Sequence, residues 1–341
     1  MTAPLASLAR LLGIVAVAVS LPSAAFADSV TIRMDWAVTP GQFAPLIPTT
    51  PQYGPNVYRH YGTSYIVEPL KMQGGGATLT ALAVGDTDVS TLSPQTLVLG
   101  VVNAKIEMRV IAQQLSTEVP GYLQTYFWVR AAEIHTIDDL KGKIIGVSAR
   151  GSNVDSAAQM VMAKHGFTEP RDFQVLEISF PTQLAALLDR RIDAAVLVPP
   201  FHLRARANPD VKPIFSVGDA FGPVETLIWI AKADFVAKNR AALVDMLEDN
   251  IRMRRWIFDP KTRADAVRQV SDFTKIPVAA LSEWVYTNGD YYFEPNALVD
   301  VPRLQRNVAL MKEAGIVPAA IDVAPYVDMS LAREAAARIK D

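Results

Sequence analysis

The chain has 341 residues, room for one large core or two moderate ones, and two domains are the better expectation at this length. Half of the residues are hydrophobic and a fifth are charged, with 33 Lys and Arg against 35 Asp and Glu for a net charge of −2, so nothing points to a polyanionic partner and no nucleic acid is expected. There are no cysteines, which excludes disulfides, thiolate metal sites, cysteine nucleophiles and a lipid-modified N-terminal cysteine.

Residues 1–27 read as an export signal: Arg10 near the front, an apolar run from Leu11 to Leu21, then Ala25-Phe26-Ala27 before Asp28. The run is shorter than the ~20 apolar residues that span a bilayer, so cleavage after Ala27 is expected. Export with neither an anchor nor a lipid cysteine points to a periplasm. Val30 to Asp35 then alternates as a strand, and the loop Asp35 to Gln42 follows it. In an open α/β sheet ligands bind outside the carboxyl ends of strands, so this loop is the first candidate wall of a site, with Asp35, Trp36, Thr39 and Gln42 on it. Trp36 reads equally as a stacking platform or as a core residue with its N–H bonded to backbone.

Pro45, Pro48, Pro51 and Pro55 interrupt the next stretch, and no long helix survives them. Tyr53, Tyr58, His60, Tyr61 and Tyr65 crowd the same region; His60 reads as a structural or surface residue. Ser64 to Met72 is a second strand, and Gly74-Gly75-Gly76 a flexible turn into a helix over Thr78 to Val84. Gly85 to Asp88 stops that helix, and Val89 to Leu92 is a third strand. Ser93 then caps another helix with Pro94 in its first turn, carrying Gln95 and Thr96. Val110 to Gln114 closes this β-α-β-α-β series, which implies a parallel sheet.

A second series opens with Leu123 to Val129 and continues through strands at Ile144 to Val147, Gln174 to Ile178 and Ala194 to Val198, with helices at Asn153 to His165 and Thr182 to Asp189. Between strand and helix, Ser148, Arg150, Gly151, Ser152 and Asn153 form a small polar loop. Its N–H groups and the helix dipole favour a negative or electron-rich group, although an ordinary helix start capped by Ser152 or Asn153 has the same pattern. The spacing matches neither G-x-x-x-x-G-K-[ST] nor G-x-G-x-x-G, so nucleotide phosphate binding by those motifs is not supported. Pro199, Pro200 and Phe201 end the fourth strand at the sheet's carboxyl edge. Beyond Phe215, Gly222 to Thr226 leads into one strand, Leu227 to Ala231. The rest is helical, with clear periodicity over Ala241 to Phe258 and Arg303 to Glu313. Arg252, Arg254 and Arg255 read as a solvated helix face.

Three segments carry a resemblance: LTALAVGDTDV over Leu79 to Val89, TIDDLKGKIIGV over Thr136 to Val147, and AALLDRRIDAA over Ala185 to Ala195. In order and spacing, across the chain after residue 27, they resemble substrate-binding proteins of ABC importers, in the branch for nitrate, alkanesulfonates, taurine and thiamine pyrimidine precursors. The resemblance implies a two-lobed type II periplasmic binding fold of class α/β: mostly parallel sheets flanked by helices, with a helical C-terminal extension. Lobe I would be residues 28–118 and 222–341, lobe II residues 119–221, with hinges near 119–124 and 221–226. Carried over by position, the ligand would meet Asp35, Trp36, Thr39, Gln42, Gly75, Gly76, Ser93, Gln95, Ser148, Arg150, Ser152, Asn153, Phe180, Pro200, Phe201 and Glu225. An anionic end would sit on Ser148, Arg150 and the amides of Ser152 and Asn153, with the body against Trp36. The proline-rich segment over 44–56 departs from the family's usual helix.

The expected role is solute binding without catalysis, as a monomer serving an ABC permease and ATPase, for a sulfonate, carboxylate or pyrimidine-like solute. Fungal thiamine-pyrimidine synthases share the fold but carry a cysteine-rich motif that this chain lacks. The four histidines show no H-E-x-x-H spacing and no G-x-S-x-G elbow occurs, so no metal, cofactor or catalytic residue is expected. A periplasmic sensor subunit feeding a kinase is the alternative, since closure on ligand serves both roles.

Overall fold

The computed structural model describes residues 29–37 and 41–340. The export segment over 1–27 and Thr39 lie outside the described residues. Two five-stranded sheets organise the chain. The first contains β1 (Val30–Trp36), β2 (Tyr65–Lys71), β3 (Val89–Leu92), β4 (Met108–Thr117) and, from far along the chain, β10 (Val224–Lys232), in the order β2-β1-β3-β10-β4. The second contains β5 (Tyr126–Arg130), β6 (Ile144–Val147), β7 (Gln174–Glu177), β8 (Ala194–Leu197) and β9 (Val211–Ser216), in the order β7-β6-β8-β5-β9. β10 runs against both its neighbours and β5 against both of its own, whereas the remaining strands of each sheet share a direction. The sheets are therefore mixed, and the strand that reverses in each is one that follows a crossing between sheets.

Helices cover the faces, as β-α-β crossovers require. α1 (Gly75–Val84) and α2 (Pro94–Val102) flank the first sheet; α3 (Asn153–Lys164), α4 (Phe180–Leu188), α5 (His202–Arg206) and α6 (Val217–Phe221) belong to the second. β3 and β8 are buried at every residue, and β8 accordingly reads as a short unbroken apolar run, whereas β3 buries Ser90 and Thr91 between Val89 and Leu92. The tail supplies α7 (Ala233–Lys238), α8 (Arg240–Phe258), α9 (Arg263–Thr274), α10 (Val278–Ser282), α11 (Val301–Glu313) and α12 (Ser330–Arg338). Its residues Met246, Leu247, Ile251, Val267 and Leu331 share one apolar cluster with Ile32, Met34 and Ile111, so the tail completes the first sheet's core. A second cluster joins Leu92, Val110 and Ile228 of the first sheet to Phe127, Ile145 and Val196 of the second.

Several expected boundaries shift. α1 begins at Gly75, inside the expected glycine turn, and α4 begins at Phe180 with a proline in its first turn. The expected strand from Leu123 starts only at Tyr126, because the Thr125 N–H is held by the Glu118 carboxylate at 2.9 Å. The proline-rich stretch holds a short 3-10 helix over Ile47–Gln52. Arg254 corrects the solvated-face reading of α8. It is 1% exposed and donates to the Gln113 and Gln114 carbonyls, the Glu294 carbonyl and Asn250 Oδ1, and burial lowers its pKa to about 10.

Candidate functional site

The carboxyl ends of the parallel strands in both sheets face one cavity of about 130 Å³. A cavity of about 150 Å³ admits benzene, so the space suits a solute of about one ring. The first sheet contributes Asp35 at the end of β1, Thr91 and Ser93 at the end of β3, Thr117 from β4 and Thr226 from β10; the second contributes Ser148 after β6 and Val198 and Pro199 after β8. This is where an open α/β sheet places a ligand, since the loops that follow the strands converge there.

Of the residues singled out in the sequence, Asp35, Gln42, Gly75, Ser93, Ser148, Ser152, Asn153 and Phe180 line the cavity. The others among the described residues are placed elsewhere. Trp36 packs edge-on against Phe273 at 5.4 Å between centroids, with Lys71 Nζ 5.4 Å from its ring. The aromatic wall instead comes from Trp284 and Tyr291 in the helical tail, opposite Phe180. Pro200 and Phe201 lie past the lining, where Phe201 packs against the apolar cluster of α4 and β8. Glu225 points away to Arg303 at 2.9 Å, and its neighbour Thr226 takes the place at the wall.

Gly76, Gln95 and Arg150 tie the lobes together rather than lining the space. The Gly76 N–H donates to the Arg150 carbonyl at 3.3 Å, the Ser156 hydroxyl donates to Gln95 Oε1 at 2.5 Å, and the Ser93 hydroxyl donates to the Gly151 carbonyl at 2.9 Å. The Arg150 guanidinium turns outward onto Glu169 at 2.8 Å and Asp155 at 3.1 Å. Asp155 also accepts the Gly151 N–H at 2.8 Å, while its own N–H is capped by Ser152. The chain's own carboxylates thus take the Gly151 amide and the Arg150 guanidinium, so the cation of the expected anion seat is already engaged.

The electrostatics of the lining follow. Among its described residues there is no Lys, Arg or His, and there are two carboxyls. Asp35 is 2% exposed and accepts the Thr91 N–H at 2.6 Å; burial pushes its pKa up to about 7 against that hydrogen bond. Asp290 accepts the Tyr286 and Tyr291 N–H groups at 3.0 and 2.8 Å and is likewise pushed up by burial to about 7. Asn153 is 5% exposed, and its Oδ1 has no partner among the described residues. A buried acceptor left unpaired costs about 1–3 kcal/mol, so a ligand that donates to it recovers that loss. The Thr117 and Thr226 hydroxyls, 2.7 Å apart, hold each other and knit the two strands at the floor.

The model of the NMT1-like family matches residues 43–271. No curated protein matches the chain. Among solved structures, the alkanesulfonate-binding protein SsuA from Xanthomonas axonopodis pv. citri bound to MOPS is similar at TM-score 0.68 and 16% identity, over 89% of this chain and 99% of that one. The periplasmic nitrate-binding protein NrtA from Synechocystis PCC 6803 is similar at TM-score 0.68 and 15% identity, over 92% and 90%. The periplasmic aliphatic sulphonate binding protein SsuA from Escherichia coli is similar at TM-score 0.61 and 15% identity, over 88% and 92%. At these identities the likeness is one of fold, the two-lobed periplasmic binding fold.

Proposed function

Starting from the premise that this chain belongs to the NMT1-like family, we propose that it is the periplasmic solute-binding component of an ABC importer, taking a small neutral nitrogen heterocycle rather than an anion. The carrying observation is a ring-sized cavity with no cation among its described lining residues and with Asp35 and Asn153 on its wall. Sulfonate or nitrate would bring a charge into that space with nothing of opposite sign to meet it, which is costly in a buried site. A flat heterocycle bearing N–H donors has better partners: Asp35 and Asn153 accept from it, and Trp284, Tyr291 and Phe180 cover its faces. Binding without chemical conversion and delivery to a permease driven by an ATPase complete the reading. The alkanesulfonate and nitrate binders among the structural relatives support the binding role, and the cation-free lining is the reason for a different solute class here.

Thermal-shift screening of aminopyrimidines, alkanesulfonates, carboxylates and nitrate tests the proposal. A ligand at about 100 times its Kd stabilises by about 2.7 kcal/mol, a shift of several degrees. Aminopyrimidines are expected to stabilise and the anions are not. Asp35→Ala should then lower affinity for the best hit by about 1.5–3 kcal/mol, the range for a hydrogen bond to a charged group, in isothermal titration at pH 8, above the value of about 7 to which burial raises this carboxyl. Stabilisation by sulfonates alone, or unchanged affinity in Asp35→Ala, would overturn the solute assignment.

A further inference from the structure

On the far side of the first sheet's helical cover, a second cavity of about 500 Å³ opens between the loop before β2, the C-terminal half of α8 and the end of α12. Five cationic side chains line it: Arg59, Arg252, Arg255, Arg338 and Lys340. Among the described residues no acidic one is on its wall. The acids nearby stand behind the arginines, with Glu248 on Arg252 at 2.5 Å and with Asp245 and Glu334 on Arg338 at 2.9 and 2.6 Å. Those pairs also account for the cluster of His60, Asp245 and Glu248, whose carboxylates are already neutralised by arginine and offer little to a metal ion.

Helix ends explain part of this. Arg255 and Arg338 lie in the last turns of α8 and α12, where a cation meets the negative end of the dipole. They do not explain Arg59, which is in a loop and whose recorded bond is from Nε to the Asn56 carbonyl at 3.3 Å, or Lys340, which lies past α12. Arg59 is also held in place: Asp249 accepts the N–H groups of Arg59 and His60 at 2.9 Å each and of Tyr61 at 3.2 Å, fixing the turn that carries it. Arg252 and Arg338 are held by the carboxylates behind them, while Arg59 and Lys340 add exposed positive charge at the rim, which a bound anion would meet.

We propose that this cavity is a second binding site, for a phosphomonoester. A phosphoryl dianion offers about two charges and three acceptor oxygens to guanidinium forks that bind such groups bidentately. Val57 and Ile339 on the same wall give the organic body of the ester an apolar contact, and the volume exceeds what the phosphoryl group alone requires. The site shares no lining residue with the cleft.

Isothermal titration of the full chain with phenyl phosphate and with inorganic phosphate at low ionic strength tests it. Both should bind, phenyl phosphate more tightly, with affinity falling as salt is raised. Arg59→Ala combined with Lys340→Ala should weaken both at least tenfold while leaving the melting temperature in phosphate-free buffer unchanged, because both side chains are exposed. Absence of binding, equal affinity for chloride, or unchanged affinity in the double variant would overturn the site. Co-sedimentation with phosphatidylglycerol vesicles, but not phosphatidylcholine vesicles, in the absence of phenyl phosphate binding would overturn the soluble ligand and place the phosphoryl group on a lipid surface. Because the readout is phosphate, a failure here leaves the cleft reading intact, and the reverse holds.

Discussion

Gly75 stands where the two lobes approach most closely. Its φ is +59°, and a Cβ there would come within 2.2 Å of the Arg150 carbonyl oxygen across the cleft. Gly75→Ala is therefore expected to hold the lobes apart. Ligand affinity should fall at least tenfold in isothermal titration, against a smaller change in thermal stability, because only the closed arrangement brings both walls to the solute. Arg150 carries the opposite expectation. Its guanidinium is spent on Glu169 and Asp155, so Arg150→Ala should leave ligand affinity within about twofold, and a tenfold loss would return the anion seat to the loop after β6.

At the level of elements, the start of α2 does two jobs with one residue. The Ser93 side chain accepts the Thr96 N–H at 3.2 Å while the Thr96 hydroxyl accepts the Ser93 N–H at 2.8 Å, a reciprocal cap, and the Ser93 hydroxyl also reaches the Gly151 carbonyl of the other lobe. Loss of an N-cap costs about 1 kcal/mol. Ser93→Ala should lower unfolding stability by about that amount in urea titration and also weaken ligand binding, whereas a surface cap such as Asp300 on α11 should affect stability alone.

On the scale of the molecule, burial holds four carboxyls among the described residues, Asp35, Glu118, Glu225 and Asp290, at about 7. A group raised above its ordinary value of 3.8 or 4.5 keeps its proton in the fold where the unfolded chain has released it. Its stability contribution is full below the ordinary value and is lost as pH rises through about 7. His202, held down to about 4 by burial and by Arg206, acts in the other direction between about 4 and 6.5, as one group against four. The melting temperature is therefore expected to be higher at pH 6 than at pH 8, and Asp35→Asn should flatten that slope by up to about 1.4 kcal/mol per pH unit. Glu118 and Glu225 flank the paired crossings, where Val224 lies opposite Thr117, so closure is expected to pivot there. Small-angle scattering should show compaction when the cleft ligand is added, and an unchanged radius at saturation would count against a hinge.

The strand and helix series were legible in the sequence because their causes are local. β8 is a short apolar run, β3 is a four-residue stretch bounded by turn residues, Ser93-Pro94 marks a helix start, and Gly85 marks a helix end. The same locality put Asp35, Ser93, Ser148 and Asn153 on loops at strand ends, and all four line the cavity. The resemblance implied the two-lobed arrangement, which the fold shows, and the solute-binding role proposed above. Only the tertiary structure decided what those loops face. Trp284, Asp290 and Tyr291 reach the cavity from a helical tail with no motif of its own, because the tail folds back over the first sheet. Trp36 is turned away by a partner more than two hundred residues later, and the Arg150 guanidinium expected to seat an anion is engaged by Glu169 and Asp155. Local pattern sets where a side chain is presented; long-range packing and the competition among its possible partners set what it binds.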